Sequence, residues 1–212
     1  MRWFARAVAA LALIAAPAYA QRPKLAVLLP ERELLTTEGP TIVSSAMVSD
    51  GAMRDLLNNG FPARLRYRVE RWGTGGWFDD IKATADWEVL VKYNALNRRY
   101  DVYRAVRGRA TSLGSFDLLT DADAAIGAPF RAPVSPPRSG RRSYYNVVLE
   151  IETLSLTELD EVERWLRGEL KPAVRGKKNP GTAVSRGVRT LVVRLLGGEK
   201  RRYEARSGTF RP

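Results

Sequence analysis

Between residues 61 and 70 the chain alternates strictly. Phe61, Ala63, Leu65, Tyr67 and Val69 are apolar, while Arg64, Arg66, Arg68 and Glu70 are charged. A period of two puts one set of side chains on each face of a strand, so this segment predicts a strand with one face in a core and one in water. Trp87, Val89, Val91 and Tyr93 repeat the pattern. The polar residues 94–98 predict a hairpin turn, and Tyr100 and Val102 begin a further strand running toward Val106. Connections this short join antiparallel neighbours. Tyr145, Val147, Leu149 and Ile151 mark another alternating strand. Residues 24–29, ended by Pro30, and residues 41–48 read as shorter strands, and a last edge strand begins at Lys200 and runs through Tyr203.

Helical spacing appears in fewer places. Asp50 can cap a short helix whose apolar face is Met53, Leu56 and Leu57, with Gly60 as its left-handed stop. Residues 116–127 read as a strand end followed by a short helix, with Thr120 and Asp123 in capping-box positions. Residues 73–76, rich in Gly, predict a hairpin or bulge; they lack the Gly-Lys-Ser/Thr of a phosphate loop. Pro129, Pro133, Pro136, Pro137 and Gly140 predict an irregular surface loop over 128–142. Beyond it, Ser155 and Glu158 form a capping box ahead of Leu159, Val162, Leu166 and Leu170, and Val184, Val188, Leu191, Val192 and Leu195 form a second amphipathic stripe. The expected class is α+β: a mainly antiparallel β-sheet or β-sandwich with short helices and a helical C-terminal segment. No internal repeat or domain boundary divides residues 21–212.

The N-terminus adds a compartment. Arg2 and Arg6 precede an apolar run over 7–16, Pro17 breaks it, and Ala18-Tyr19-Ala20 supplies the small residues of a cleavage site. This pattern predicts a signal peptide over 1–20, cleaved after Ala20, and an exported protein, with the periplasm of a two-membrane cell as the default destination and full secretion as the alternative. The run is too short to span a bilayer, which takes about 20 residues. No other stretch approaches that length, so no transmembrane span is expected in the processed chain. There is no Cys, which removes both a lipid anchor at the cleavage site and any disulfide.

The chain carries 35 Lys and Arg against 23 Asp and Glu, a net charge of +12. That balance points to an anionic envelope component or an acidic protein as partner, although the arginines are spread along the whole chain. There is also no His. Ser-His-Asp and Cys-His catalysis and the usual zinc, copper, haem and iron–sulfur ligand sets are excluded. No cofactor is expected. Asp79, Asp80, Asp121 and Asp123 leave carboxylate chemistry open, including hydrolysis of envelope glycans. Solvated-loop and helix-cap roles account for the same acids, and the segment from Asp121 to Gly127 lacks the remaining ligands of a calcium loop.

The most suggestive polar feature is the row Arg64, Arg66 and Arg68. On a strand these side chains stand about 7 Å apart on one face and could take phosphate or carboxylate groups bidentately. Arg104, Arg107 and Arg109 would extend the row if their strand pairs nearby. An ordinary solvated sheet face is the competing reading. Tyr67, Trp87 and Tyr93 belong to the apolar faces, which argues against nucleic acid.

Several of these segments resemble the bacterial exported family known as domain of unknown function 4390. They are the turn from Asn59 to Pro62 with its following strand, the run VKYNALNRRYDV from Val91 to Val102, residues 116–127, and the strand from Tyr145 to Ile151. The resemblance covers roughly residues 45–152, and the C-terminal third departs from it. It implies an envelope protein of unassigned activity and brings no catalytic residues. The expected function is therefore a non-catalytic envelope protein binding a protein partner or anionic ligand. The alternatives are a carboxylate-dependent glycan hydrolase and a structural subunit docking through the Val184 to Leu195 stripe.

Overall fold

The computed structural model describes residues 22–75, 78–138, 140–154, 158 and 200–212. Its strands are β1 (Lys24–Leu28), β2 (Thr41–Ser45), β3 (Ala63–Gly73), β4 (Asp80–Asn94), β5 (Arg99–Val106), β6 (Arg109–Phe116), β7 (Phe130–Arg131), β8 (Ser143–Thr153) and β9 (Lys200–Arg206), with helices α1 (Gly51–Asn58) and α2 (Leu119–Gly127) between them. They form a six-stranded sheet, β6-β5-β4-β3-β8-β9, and a three-stranded sheet, β1-β2-β7. Every pairing is antiparallel. The α+β, mainly antiparallel class holds. The helices expected over 155–170 and 184–196 lie outside the described residues, apart from Glu158, which is helical.

The alternation read from the sequence becomes the core. Leu65, Tyr67 and Val69 of β3 lie beside Trp87, Val89 and Val91 of β4 and Val147, Leu149 and Ile151 of β8, all buried on one face of the large sheet. Ile42 of the small sheet and Met53, Leu57, Leu119, Ala122 and Ile126 of the helices close over them. The Tyr67 and Trp87 rings stack at 4.9 Å with 4° between planes.

Helix α1 begins as expected. The Asp50 carboxylate accepts the Met53 N–H at 3.1 Å. It also receives both ends of the Arg201 guanidinium from β9, at 2.5 and 3.0 Å, so one cap ties the last strand to the helix start. At the other end Gly60 is left-handed (φ +85°), Gly60 N–H donates to Leu57 O at 2.9 Å and Phe61 N–H to Leu56 O at 3.0 Å. This pair of bonds is the Schellman stop that glycine permits.

Three expectations are corrected. The strand expected over 41–48 ends at Ser45, because Ala46 turns into the left-handed region (φ +57°). The capping box at Thr120 and Asp123 does not form: α2 starts after Leu118 with no side-chain cap, and Asp123 bonds elsewhere. The 128–142 segment is irregular but not wholly superficial, since Ala132 and Val134 are buried in the core and Phe130–Arg131 pairs with β2. Most of β6 carries no alternating signal. It is recruited as an edge by the tight turn at Arg107 (φ +50°) and Gly108 (φ +77°).

Candidate binding surfaces

Strand register decides the fate of the arginine row. Arg64, Arg66 and Arg68 do share the outward face of β3. Facing them, β8 presents Glu152 and Glu150, and β4 presents Glu88 and Asp86. Arg64 donates to Glu152 Oε1 through Nε at 3.0 Å and Nη2 at 2.5 Å. Arg66 lies 3.3 Å from Glu88 Oε1 and 3.3 Å from Glu152 Oε1. Arg68 is 3.5 Å from Asp86 Oδ1 and 3.8 Å from Glu70 Oε1. Burial alone would raise Glu152, but the charge and hydrogen bond of Arg64, with Arg66 and Lys200, outweigh it and hold the carboxyl below its ordinary value. Arg202 continues the pattern by donating to Glu150 at 2.8 Å. The face is a lattice of alternating charge, and an incoming anion must displace carboxylates already seated on the guanidinium groups. The signal was present in the sequence, since Asp86, Glu88, Glu150 and Glu152 fall at outward positions of their strands. Only the pairing brings them to β3.

Arg104, Arg107 and Arg109 do not extend the row. Arg104 pairs with Val89 and so faces the core side. Its guanidinium lies 4.2 Å from the Phe130 ring centroid, with Nε buried and without an acceptor. Burial lowers its pKa, an effect the nearby Tyr67 partly opposes. Arg107 sits in the β5–β6 turn and Arg109 shares the Arg104 face. Tyr67 is buried, its hydroxyl 3.3 Å from Ser44 Oγ, and desolvation pushes it up to about 12. Neither Tyr67 nor Trp87 is open to stack with a base.

The four candidate acids have separate roles. Asp123 is buried on α2, where its oxygens accept the backbone N–H groups of Ala46 at 2.7 Å, Met47 at 2.8 Å and Val48 at 2.8 Å. Three successive donors wrapped around one carboxylate satisfy a stretch of backbone that has left its strand. The acid stands on the buried stripe Leu119, Ala122, Asp123 and Ile126, and an acid on an apolar stripe is the cue that sequence reading passed over. Asp121 and Asp79 are exposed, and Asp80 pairs with Lys82. Asp80 and Gly73 lie six to seven strand positions from the Tyr67–Trp87 pair that neighbours the Asp123 clamp, roughly 20 Å along the sheet. Among the described residues no three acids gather into a metal-holding group.

Unpaired positive charge collects at the end of the large sheet, where β3 ends and β4 begins. Arg138, Arg141 and Arg142 come from the proline-rich segment and Arg211 from the C-terminus, and all four are exposed. Backbone bonds hold the two segments and the β3–β4 connection together. Thr74 N–H donates to Arg142 O at 2.8 Å, Ser143 and Phe210 exchange bonds at 2.9 and 2.8 Å, and Arg211 Nε donates to Gly140 O at 2.7 Å. None of these arginines has a carboxylate partner among the described residues. Beside them Arg206 lies 3.4 Å over the Tyr144 ring, which stacks in turn on Trp72 at 6.0 Å. The cluster escapes sequence reading because its members lie up to 73 positions apart and meet through contacts between distant segments, among them the Ser143–Phe210 bridge and the Arg211–Gly140 bond.

No helix among the described residues is long and apolar enough to cross a membrane. Comparison of the chain with protein-family models, curated proteins and solved structures found no match.

Proposed function

We propose that this chain is an exported, non-catalytic envelope protein that binds an anionic partner through the arginine-rich end of its large sheet. The observation that carries the reading is the contrast between two sets of arginines. Arg64, Arg66 and Arg68 are already matched by carboxylates, whereas Arg138, Arg141, Arg142 and Arg211 stand exposed without one among the described residues. Carboxylates already paired with the row, the half-buried Arg64–Glu152 pair above all, must be displaced by an incoming anion, while exposed guanidinium groups offer bidentate donors at little cost. The signal-peptide pattern ending at Ala20 supports export, with the periplasm as destination. The segments over 45–152 support kinship with the domain of unknown function 4390 family.

Crosslinking in intact cells tests the reading. The tagged chain should yield crosslinked species that disappear when Arg138, Arg141, Arg142 and Arg211 are all replaced by Ser, and that persist when Arg64, Arg66 and Arg68 are. The opposite pattern would return the binding role to the sheet face.

A further inference from the structure

The arginine-rich end also carries an exposed large apolar side chain of the β3–β4 connection. Phe78 is 87% exposed and Ile81, three residues on, is 47% exposed. At that exposure Phe78 contributes little apolar burial to the fold. Its neighbourhood is cationic. Thr74, four residues before Phe78, is bonded to Arg142 O at 2.8 Å, and Gly73 is paired both with Asp80 on one side and with Ser143 on the other. The register therefore brings Phe78 and Ile81 to the same end as Arg138, Arg141, Arg142, Arg206 and Arg211. The acids at that end are fewer: Glu70, which accepts from Trp72 Nε1 at 3.1 Å, Asp80, paired with Lys82, and exposed Asp79.

We propose that this end docks peripherally on an anionic phospholipid surface, with Phe78 and Ile81 entering the headgroup region and the arginines contacting lipid phosphates. The inference rests on the reading above and names its partner. Two features favour a lipid surface over an acidic protein. An apolar tip rimmed by basic groups provides the two signals, burial and charge, that reversible membrane attachment requires. The arginines are also spread over two chain segments around the tip, which suits a plane of many phosphates. Juxtamembrane basic residues each strengthen binding to anionic bilayers by about fivefold, and the attraction fades with salt.

Vesicle co-sedimentation of the purified, processed chain tests this. Binding is expected to vesicles containing one third phosphatidylglycerol, and not to phosphatidylcholine alone. Arg141→Ser with Arg142→Ser should weaken it by about 25-fold. Phe78→Ser should weaken it by about tenfold while leaving the residual binding salt-sensitive. All three side chains are exposed, so unchanged circular dichroism and melting show that the variants are folded. Equal binding to neutral and anionic vesicles, or full binding by both variants, overturns the proposal. Absence of vesicle binding while in-cell crosslinks to a protein still depend on the four arginines overturns it and leaves the proposed function standing. Absence of both removes the two together.

Discussion

Replacing Asp123 by Ala should be among the most destabilising single changes available to this chain. The carboxylate accepts three buried backbone N–H groups at 2.7, 2.8 and 2.8 Å. Alanine leaves all three donors unsatisfied, because the segment after Ser45 has already left its strand at Ala46 (φ +57°) and has no carbonyl partner to return to. A buried donor without an acceptor costs about 1–3 kcal/mol, so three give roughly 3–9 kcal/mol. Entry of water or a shift of the segment recovers part of that, which places the expected loss near the lower end, about 4 kcal/mol. Against a typical domain stability of about 5–15 kcal/mol this is a large fraction. For a chain of this size it corresponds to a melting temperature lower by roughly 8–16 °C. Asp123→Asn keeps one acceptor oxygen and turns an NH₂ toward the donors, so it should lose roughly half as much. Asp121→Ala, two residues away and exposed, should change stability by no more than about 0.5 kcal/mol. Urea unfolding of the three variants, read by tryptophan fluorescence, makes the comparison. An Asp123→Ala midpoint equal to that of Asp121→Ala would refute the clamp.

Other consequences follow from the same geometry. Gly127→Ala would place a Cβ 1.9 Å from the Ser44 carbonyl oxygen, so α2 must move off β2, and chemical denaturation should report a loss of about 3 kcal/mol. Asp50→Ala removes the α1 cap and the Arg201 contact and should cost about 1–2 kcal/mol by thermal melting. Acid lability should rest partly on Asp50 and Glu152. The Arg201 hydrogen bonds hold the Asp50 carboxyl below the ordinary aspartate value against a smaller cost of burial. For Glu152, burial alone would raise the carboxyl, but Arg64 and Arg66 outweigh it and hold it below the ordinary glutamate value. A folded pKa below the unfolded one contributes stability that is fully present above the unfolded value and lost as pH falls through the folded value. Pairing at these two acids should therefore stabilise the fold above about pH 4.5 and fade below it. Glu152→Gln should flatten that part of an acid-unfolding titration, and an unchanged titration would show that the lattice contributes nothing.

Much of the architecture was legible because the large sheet has one dry face. A strand with Leu65, Tyr67 and Val69 inward and Arg64, Arg66 and Arg68 outward can occupy only one register without burying charge, so alternation fixed β3, β4, β5 and β8 together. The cap at Asp50 and the stop at Gly60 were equally plain, since both depend on residues within one or two helical turns. What escaped depends on partners distant in sequence. The acids that neutralise the arginine row come from β4 and β8, and the donors that Asp123 satisfies lie 75 to 77 residues away. Arg104 falls two positions from Val102 and from Val106, so the alternation of its own strand already places it on the apolar face beside Val89 and away from the arginine row. The arginine-rich end is assembled by bonds between distant segments, Ser143 with Phe210, Thr74 with Arg142 and Arg211 with Gly140, and sequence spacing carries no trace of them.

The central claim is that binding belongs to the sheet end and not to the sheet face. The most direct measurement places a photoreactive residue at position 141 in one variant and at position 66 in another, followed by illumination of intact cells. Crosslinks formed from position 141 and absent from position 66 are the predicted result. Crosslinks formed from position 66 and absent from position 141 would contradict the account.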